Sequence, residues 1–197
     1  MLKRCFDVCG AATGLLLLLP IFLFVSIWIK YDSPGPVFFR QWRVGRDGVP
    51  FRIHKFRTMR IESDNKSLLT VGNDDRVTRP GVFLRKSKVD ELPQLIDVLL
   101  GEMSLVGPRP EVQEFIDHYP EGVKEKVLSV RPGITDRASI EMVDENILLA
   151  EYKDPRQAYI DHILPLKQKF YLEYVERNSF LGDISIIFDT IMKIIKR

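Results

Sequence analysis

The sequence has few of the residues that build metal centres, redox motifs and disulfide frameworks. It holds two cysteines and three histidines in 197 residues. Cys5 and Cys9 lie four apart, so there is no C-x-x-C, and no Cys/His group has zinc spacing. Two cysteines on one helix face make no useful disulfide framework, and both read as small apolar residues of a reducing compartment. No GxxxxGK[ST] is present, nor a GxGxxG, which leaves the usual nucleotide-binding folds without support. Internal repeats and low-complexity tracts are also missing.

What is present has the size of one ordinary domain with a real core. Hydrophobic residues make up 45% and charged residues 28%, the balance of a globular chain rather than a disordered one. The net charge is only +2, but residues 1–60 carry ten Lys/Arg against three acids, +7, and the remainder carries −5. The N-terminal third is therefore the part suited to an anionic partner.

Val8–Ile29 is a run of 22 residues without a charge. At about 1.5 Å per residue a straight helix of that length crosses a bilayer core. It is longer than the apolar region of a signal peptide, and Lys30-Tyr31-Asp32 follows it instead of a small-residue cleavage site. Positive charge flanks it on both sides: Lys3 and Arg4 before, Lys30, Arg40, Arg43 and Arg46 after. A straight span cannot keep both flanks in the cytoplasm. Pro20 lies mid-segment, where it removes a backbone hydrogen bond and kinks a helix. A helix that bends at Pro20 and leaves on the side it entered meets both constraints, with Ser26 or neighbouring helices satisfying freed carbonyls; a single tilted span is the alternative. At the other end, Ile184, Ile187, Phe188, Ile191, Ile194 and Ile195 recur at helical spacing. That stripe suits either a lipid surface or the core, and core packing is the commoner outcome.

Between these ends, two short strands flank Asp47-Gly48, a strong hairpin signal. Cations (Arg40, Arg43, Arg46, Arg52, Lys55, Arg57) alternate with aromatics there, a mixture that suits nucleic acid, a nucleotide, lipid headgroups or simply a solvated hairpin with an aromatic core. Residues 61–81 read as a polar loop, and helix resumes from Val82 and stops at Gly101. Residues 111–128 read as helix broken at Pro120, and 144–178 as helix broken at Pro165. Three stiff arginine turns punctuate the chain: "TRPG" at 78–81, "GPRP" at 107–110 and "RPG" at 131–133. Guanidinium forks match phosphate oxygens, and a rigid turn lowers the cost of holding them.

"VDELPQL", Val89 to Leu95, sets Asp90 and Glu91 side by side, two residues before Pro93. As a helix start this is ordinary, because proline is tolerated in the first turn and acids suit the helix dipole. The same geometry also suits chemistry. A carboxylate can attack phosphorus, and its neighbour can help hold Mg2+. Local physics leaves the two readings open.

The chain resembles the bacterial sugar transferase family of monotopic phosphoglycosyl transferases, in a small form with the catalytic domain alone. The resemblance rests on "KRCFD", "SPGPVFFRQWRVG", "KFRTM", "LRKSKVDELPQLIDVLLGEMSLVGPRPE" and "RPGIT". It implies an enzyme that moves a sugar-1-phosphate from a UDP-sugar to polyprenyl (undecaprenyl) phosphate, releasing UMP through an aspartyl-phosphosugar intermediate. A non-catalytic membrane scaffold of a glycan assembly complex is the alternative. The implied roles are Asp90 as nucleophile, Glu91 supporting Mg2+ with Asp90, and Arg85, Arg109, Lys55, Arg57 and Arg131 binding substrate. The implied fold is α+β and mainly helical, with a small β-hairpin and amphipathic interfacial helices. Residues 1–30 would form a membrane-inserted re-entrant helix and 31–197 a catalytic domain on the cytoplasmic face of the bacterial inner membrane. Membrane lipids are expected partners, nucleic acid is not, and a homodimer is a possible assembly. Two departures stand out: Leu19-Pro20 where well-known members have Ser-Pro, and Asp136-Arg137-Ala138 where many continue with Gly-Trp-Ala.

Overall fold

The computed structural model describes residues 1–61, 74–142 and 145–196. Along the chain run α1 (Leu2–Asp32), β1 (Phe38–Val44), β2 (Pro50–Phe56), α2 (Arg79–Lys86), α3 (Gln94–Leu100), β3 (Ser104–Val106), α4 (Gln113–Ile116), α5 (Glu121–Leu128), β4 (Gly133–Thr135), α6 (Arg137–Glu141), α7 (Glu145–Ala150), α8 (Pro155–Ala158), α9 (Leu164–Arg177) and α10 (Phe180–Ile195). The fold is mainly helical with a small hairpin, as the resemblance implies, and has a second small sheet, β3 with β4, that it does not imply. Most of the polar stretch read as a loop, residues 62–73, lies outside the described residues.

The helix α1 runs without interruption through Pro20. Ser26 Oγ donates to the Phe22 carbonyl at 2.6 Å, so it serves its own turn rather than the Leu16 carbonyl, four residues before Pro20. One face of α1 enters the body: Ala11, Val25 and Ile29 are buried. Gly10 allows the close approach, since a Cβ there would come within 2.9 Å of Leu105 Cδ1. The opposite face leaves Leu16, Leu17, Leu19, Leu23, Phe24 and Ile27 exposed.

Polar residues at both ends of α1 fasten it. Lys3 Nζ donates to the Val106 carbonyl at 3.1 Å and to Asp183 Oδ2 at 2.6 Å. Arg4 Nη2 donates to the Val98 carbonyl at 2.8 Å. Asp7, buried, accepts from Ser104 Oγ at 2.9 Å and the Leu105 amide at 3.1 Å. Beyond the other end, the buried Arg57 donates to the Ser33 and Pro34 carbonyls at 2.7 and 2.6 Å. The flanking cations Lys3 and Arg4 are thus committed to the body of the protein.

The predicted hairpin forms, with β1 and β2 antiparallel from Phe38↔Phe56 to Val44↔Pro50 and a tight turn at Arg46–Gly48. Its β2 strand packs on α1 and α3: Phe51 and Ile53 join Ala11, Leu95, Val98 and Met103 in one apolar cluster. A second cluster gathers Val25 and Ile29 of α1 with Phe56 and Leu84. The largest lies under α4–α9 and includes Phe115, Tyr159, Leu164 and Tyr171.

Three segments differ from the sequence reading. "RPGIT" is more than a turn, because Gly133–Thr135 pairs in parallel with Ser104–Val106. The backbones nearly touch there: a Cβ on Gly133 would lie 2.1 Å from the Gly107 nitrogen. A break falls at residues 151–154, and at Pro165 the helix changes type rather than stopping: a π-helical turn, Tyr159–Ile163, directly precedes it and joins α8 to α9. In α10 the polar side is the one that packs. Asp183 is buried and bound by Lys3 and Tyr174, and Thr190 Oγ1 lies 2.7 Å from Thr135 Oγ1. Leu181, Ile184, Phe188, Ile191 and Ile195 are left exposed along the other side.

Candidate active site

Asp90 and Glu91 lie in a single 3-10 turn, Val89–Glu91, ahead of α3 rather than inside its first α-turn. Lys88 opens the turn with left-handed backbone, φ 58, and its carbonyl accepts from the Glu91 amide at 3.2 Å. Pro93 takes the N-cap position of α3, which explains how a proline is accommodated so close to the pair. The α3 helix is fixed to the hairpin by Asp97. Fully buried, it accepts from the His54 amide at 2.8 Å and meets His54 Nδ1 at 2.5 Å. That contact places the next residue of β2, Lys55, against the dyad.

The two carboxylates have different surroundings. Glu91 is clamped: Arg109 reaches both of its oxygens, Nη1 to Oε2 at 3.0 Å and Nη2 to Oε1, and Lys55 Nζ donates to Oε1 at 3.2 Å. Asp90 is 8% exposed, and its Oδ1 is buried with no hydrogen-bond partner among the described residues. Burial, reinforced by the Glu91 charge, pushes the Asp90 carboxyl up to about 6. Burial pushes Glu91 in the same direction, but the Arg109 and Lys55 charges overcome it and hold Glu91 well below the usual range. Burial lowers Lys55 to about 8 against the pull of Glu91. Glu91 is thus held as a carboxylate paired with Arg109 and Lys55, while Asp90 is ionised at neutral pH with one oxygen unengaged.

Arg109 stands on the Gly107–Pro110 turn that follows β3. Arg43 braces this turn from the hairpin: Nη1 donates to the Pro110 carbonyl at 3.2 Å and lies 3.8 Å from Glu111 Oε2, while the Val44 amide bonds the Glu111 carbonyl at 2.9 Å. Behind it, Glu111 accepts from Tyr159 Oη at 2.7 Å, and Lys167 donates to Tyr159 Oη at 3.1 Å and pairs with Glu145 at 2.8 Å. Arg85 Nε donates to Thr58 Oγ1 at 2.9 Å, and its charge acts on Asp90.

The structure therefore brings Asp90, Glu91, Lys55, Arg109 and Arg85 together. Arg57 and Arg131 are placed on other tasks. Arg57 clamps the chain after α1, as above, and Arg131 Nε donates to the Gly101 carbonyl at the end of α3, 2.8 Å away. Sequence reasoning did not single out Arg43, Glu111 or Lys167. The hairpin register held a signal for Arg43: Phe39 faces Lys55 and Arg43 faces Phe51, so Arg43 and Lys55 share one side of the sheet. For Glu111 and Lys167 the contact spans too much sequence for any local pattern to show it.

No three His, Cys, Asp or Glu among the described residues could surround a metal ion. The donor set still fits a cation that takes most of its ligands from phosphate and water, as Mg2+ does, because Asp90 keeps an unengaged buried oxygen beside Glu91.

The family profile described as bacterial sugar transferase matches residues 1–197. The chain belongs to that family. It is 39% identical over 196 residues to the UDP-glucose:undecaprenyl-phosphate glucose-1-phosphate transferase of Escherichia coli (strain K12), a match covering 98% of this chain and 40% of that protein. It is 36% identical over 197 residues to the UDP-N-acetylgalactosamine-undecaprenyl-phosphate N-acetylgalactosaminephosphotransferase of Aeromonas hydrophila, over 98% of this chain and 44% of that one. An uncharacterized sugar transferase, EpsL of Bacillus subtilis (strain 168), is 36% identical over 197 residues, covering 99% of this chain and 88% of its own. This member of the bacterial sugar transferase family thus spans less than half the length of the first two relatives. In it the dyad and the arginine turn of the family resemblance meet at one ion pair, Arg109 with Glu91.

Proposed function

We propose that this chain transfers a sugar-1-phosphate from a UDP-sugar to polyprenyl (undecaprenyl) phosphate, releasing UMP, with Asp90 as covalent nucleophile. The observation that carries this is the asymmetry of the dyad: a buried Asp90 oxygen with no partner, beside a Glu91 held by Arg109 and Lys55. An Asp90 oxygen forms a bond to the β-phosphorus of the donor. The bond from that phosphorus to the bridging oxygen breaks, and UMP leaves with the electron pair. An oxygen of the lipid phosphate then attacks the same phosphorus, the aspartyl–phosphorus bond breaks, and Asp90 returns as carboxylate. Arg109, Lys55 and Arg85 face the charge gathered on the phosphoryl oxygens. Mg2+, held by Asp90 and Glu91 with phosphate oxygens, would neutralise donor charge. The relatives' names differ in the sugar, glucose in one and N-acetylgalactosamine in another, so the donor is assigned here only as a UDP-sugar.

The membrane reading has its own support. Lys3, Arg4 and Asp7 tie the start of α1 to the body, and Arg57 ties the residues after it. Both ends of an apolar helix are therefore held to one polar body, which suits keeping both flanks on one side of a membrane rather than a crossing. The outward stripes of α1 and α10 suit burial in the cytoplasmic leaflet of the bacterial inner membrane.

The test is a panel of UDP-sugars with polyprenyl phosphate and Mg2+, read by UMP release. One donor at least should yield UMP, and sugar radiolabel should remain on denatured protein when acceptor is omitted. Asp90→Asn should abolish both. An active Asn variant would remove the covalent role, and no UMP from any donor would favour a membrane scaffold.

A further inference from the structure

Lys88 and Asp47 are the only non-glycine residues with positive φ among the described residues, and Lys88 immediately precedes the dyad turn. Left-handed backbone is unfavourable for lysine and persists where the surroundings dictate it. Here it lets the Lys88 carbonyl close the turn around Asp90 at the Glu91 amide, 3.2 Å away.

The side chain of Lys88 is also unlike the other cations around the dyad. Lys55 and Arg109 are bound to Glu91, Arg43 to the Pro110 carbonyl, and Arg85 to Thr58. Lys88 is exposed, and its ammonium makes no hydrogen bond or ion pair among the described residues. Its charge nevertheless acts on both Asp90 and Glu91.

The surface beside it is apolar and leads to α1. Val89 packs against the cluster of Val25, Ile29, Phe56 and Leu84. On α2, Val82 and Phe83 are exposed, and the Phe83 ring lies 5.8 Å from that of Trp28 on α1. Phe24 and Ile27 continue the exposed surface. A free cation at the end of an apolar track fits an amphiphile with an anionic head. A UDP-sugar, polar throughout, has no use for the track.

We propose that Lys88 receives the phosphate of the polyprenyl phosphate acceptor, whose first isoprene units run over Val82, Phe83 and Trp28 toward α1. The assignment rests on the transfer reaction proposed above and names the side from which its second substrate arrives.

The test is a titration of farnesyl phosphate into the full chain in detergent micelles, followed by tryptophan fluorescence, with UDP titrated in parallel. Asn tolerates left-handed backbone, so Lys88→Asn removes the charge while keeping the turn. Lys88→Asn should weaken farnesyl phosphate binding about tenfold, the size of one charge-assisted contact. Lys88→Arg and the nearby surface control Lys86→Asn should each stay within about twofold. UDP binding should be unchanged in all three, which also reports that the site is folded. The assignment is overturned by wild-type protein that does not bind farnesyl phosphate, by full binding in Lys88→Asn, by equal weakening in Lys86→Asn, or by weakening of UDP instead. Absence of UMP release from wild-type protein would sink the transfer reaction itself, and the farnesyl phosphate comparison reads Lys88 independently of it.

Discussion

At the scale of single residues, the site sets a need for reactivity against stability. Asp90 is buried beside Glu91 without a bond of its own, and its carboxyl is raised to about 6. In the unfolded chain it would titrate near ~3.9. Between those values the fold favours the protonated form, so stability is lost as pH rises from about 4 to about 6. Asp90→Asn should therefore raise the thermal midpoint of the detergent-solubilised protein at pH 7.5, by on the order of 4 °C, and change it little at pH 4. A midpoint lowered at pH 7.5 would contradict this. The proposed transfer has the opposite sign: attack by Asp90 needs the carboxylate, so kcat/KM for the donor should fall as pH drops below about 6. Glu91, held well below the usual range, should add no limb there. A flat profile between pH 5 and 7 would show that Asp90 is not the titrating group. Of the cations that the sequence named, Lys55 and Arg109 converge on Glu91, and Arg85 lies where its charge acts on Asp90. Arg57 and Arg131 carry the same guanidinium in equally stiff surroundings, yet they spend it on carbonyls. No local pattern distinguishes an arginine that will meet phosphate from one that will hold a chain end.

At the scale of elements, legibility followed the range of the determining contact. The hairpin was plain because Asp47-Gly48 lies within it, and the end of α3 because Gly101 takes φ 89 there. The parallel pairing of β3 and β4 was not plain. Each strand has three residues, too few to show an alternation, and they are brought together by glycines that permit backbone contact. "KRCFD" was readable as charge beside an apolar run and as part of the family resemblance, neither of which gives Asp7 a partner. In the fold, Asp7 satisfies the Ser104 hydroxyl and the Leu105 amide from inside the protein. Asp7→Ala would leave those donors buried and unpaired, at a cost of about 1–3 kcal/mol. Urea or thermal unfolding in micelles should show that loss, and β3, which leads into the Arg109 turn, should lose amide-exchange protection first. Unchanged protection of Ser104–Val106 would count against the coupling.

At the scale of the whole molecule, the fold holds a charged site and an exposed apolar surface together. Val106 shows the connection: its carbonyl accepts from Lys3 Nζ and Tyr174 Oη, three residues before Arg109. Because both ends of α1 are fastened to the body, reagents should reach them from one side. Native Cys5, exposed near the start of α1, and a cysteine introduced as Tyr31→Cys, at its exposed end, should react with a membrane-impermeant maleimide in inside-out vesicles and stay protected in right-side-out ones. A Cys9→Ser background removes the other thiol. Reaction of the two positions from opposite sides would establish a crossing helix instead.

The seating of α1 also decides how the protein can be handled. It is a wall of the building rather than a tether, since Ala11, Val25 and Ile29 complete two of the apolar clusters. Cutting away the first 32 residues to obtain a water-soluble form would open those clusters and should give aggregated material. Repainting is the better course. Leu16, Leu17, Leu23, Phe24 and Ile27 face outward, and replacing them with Glu, Lys or Gln keeps the helix and its inner contacts. Such a variant should stay in the supernatant without detergent and still bind UDP.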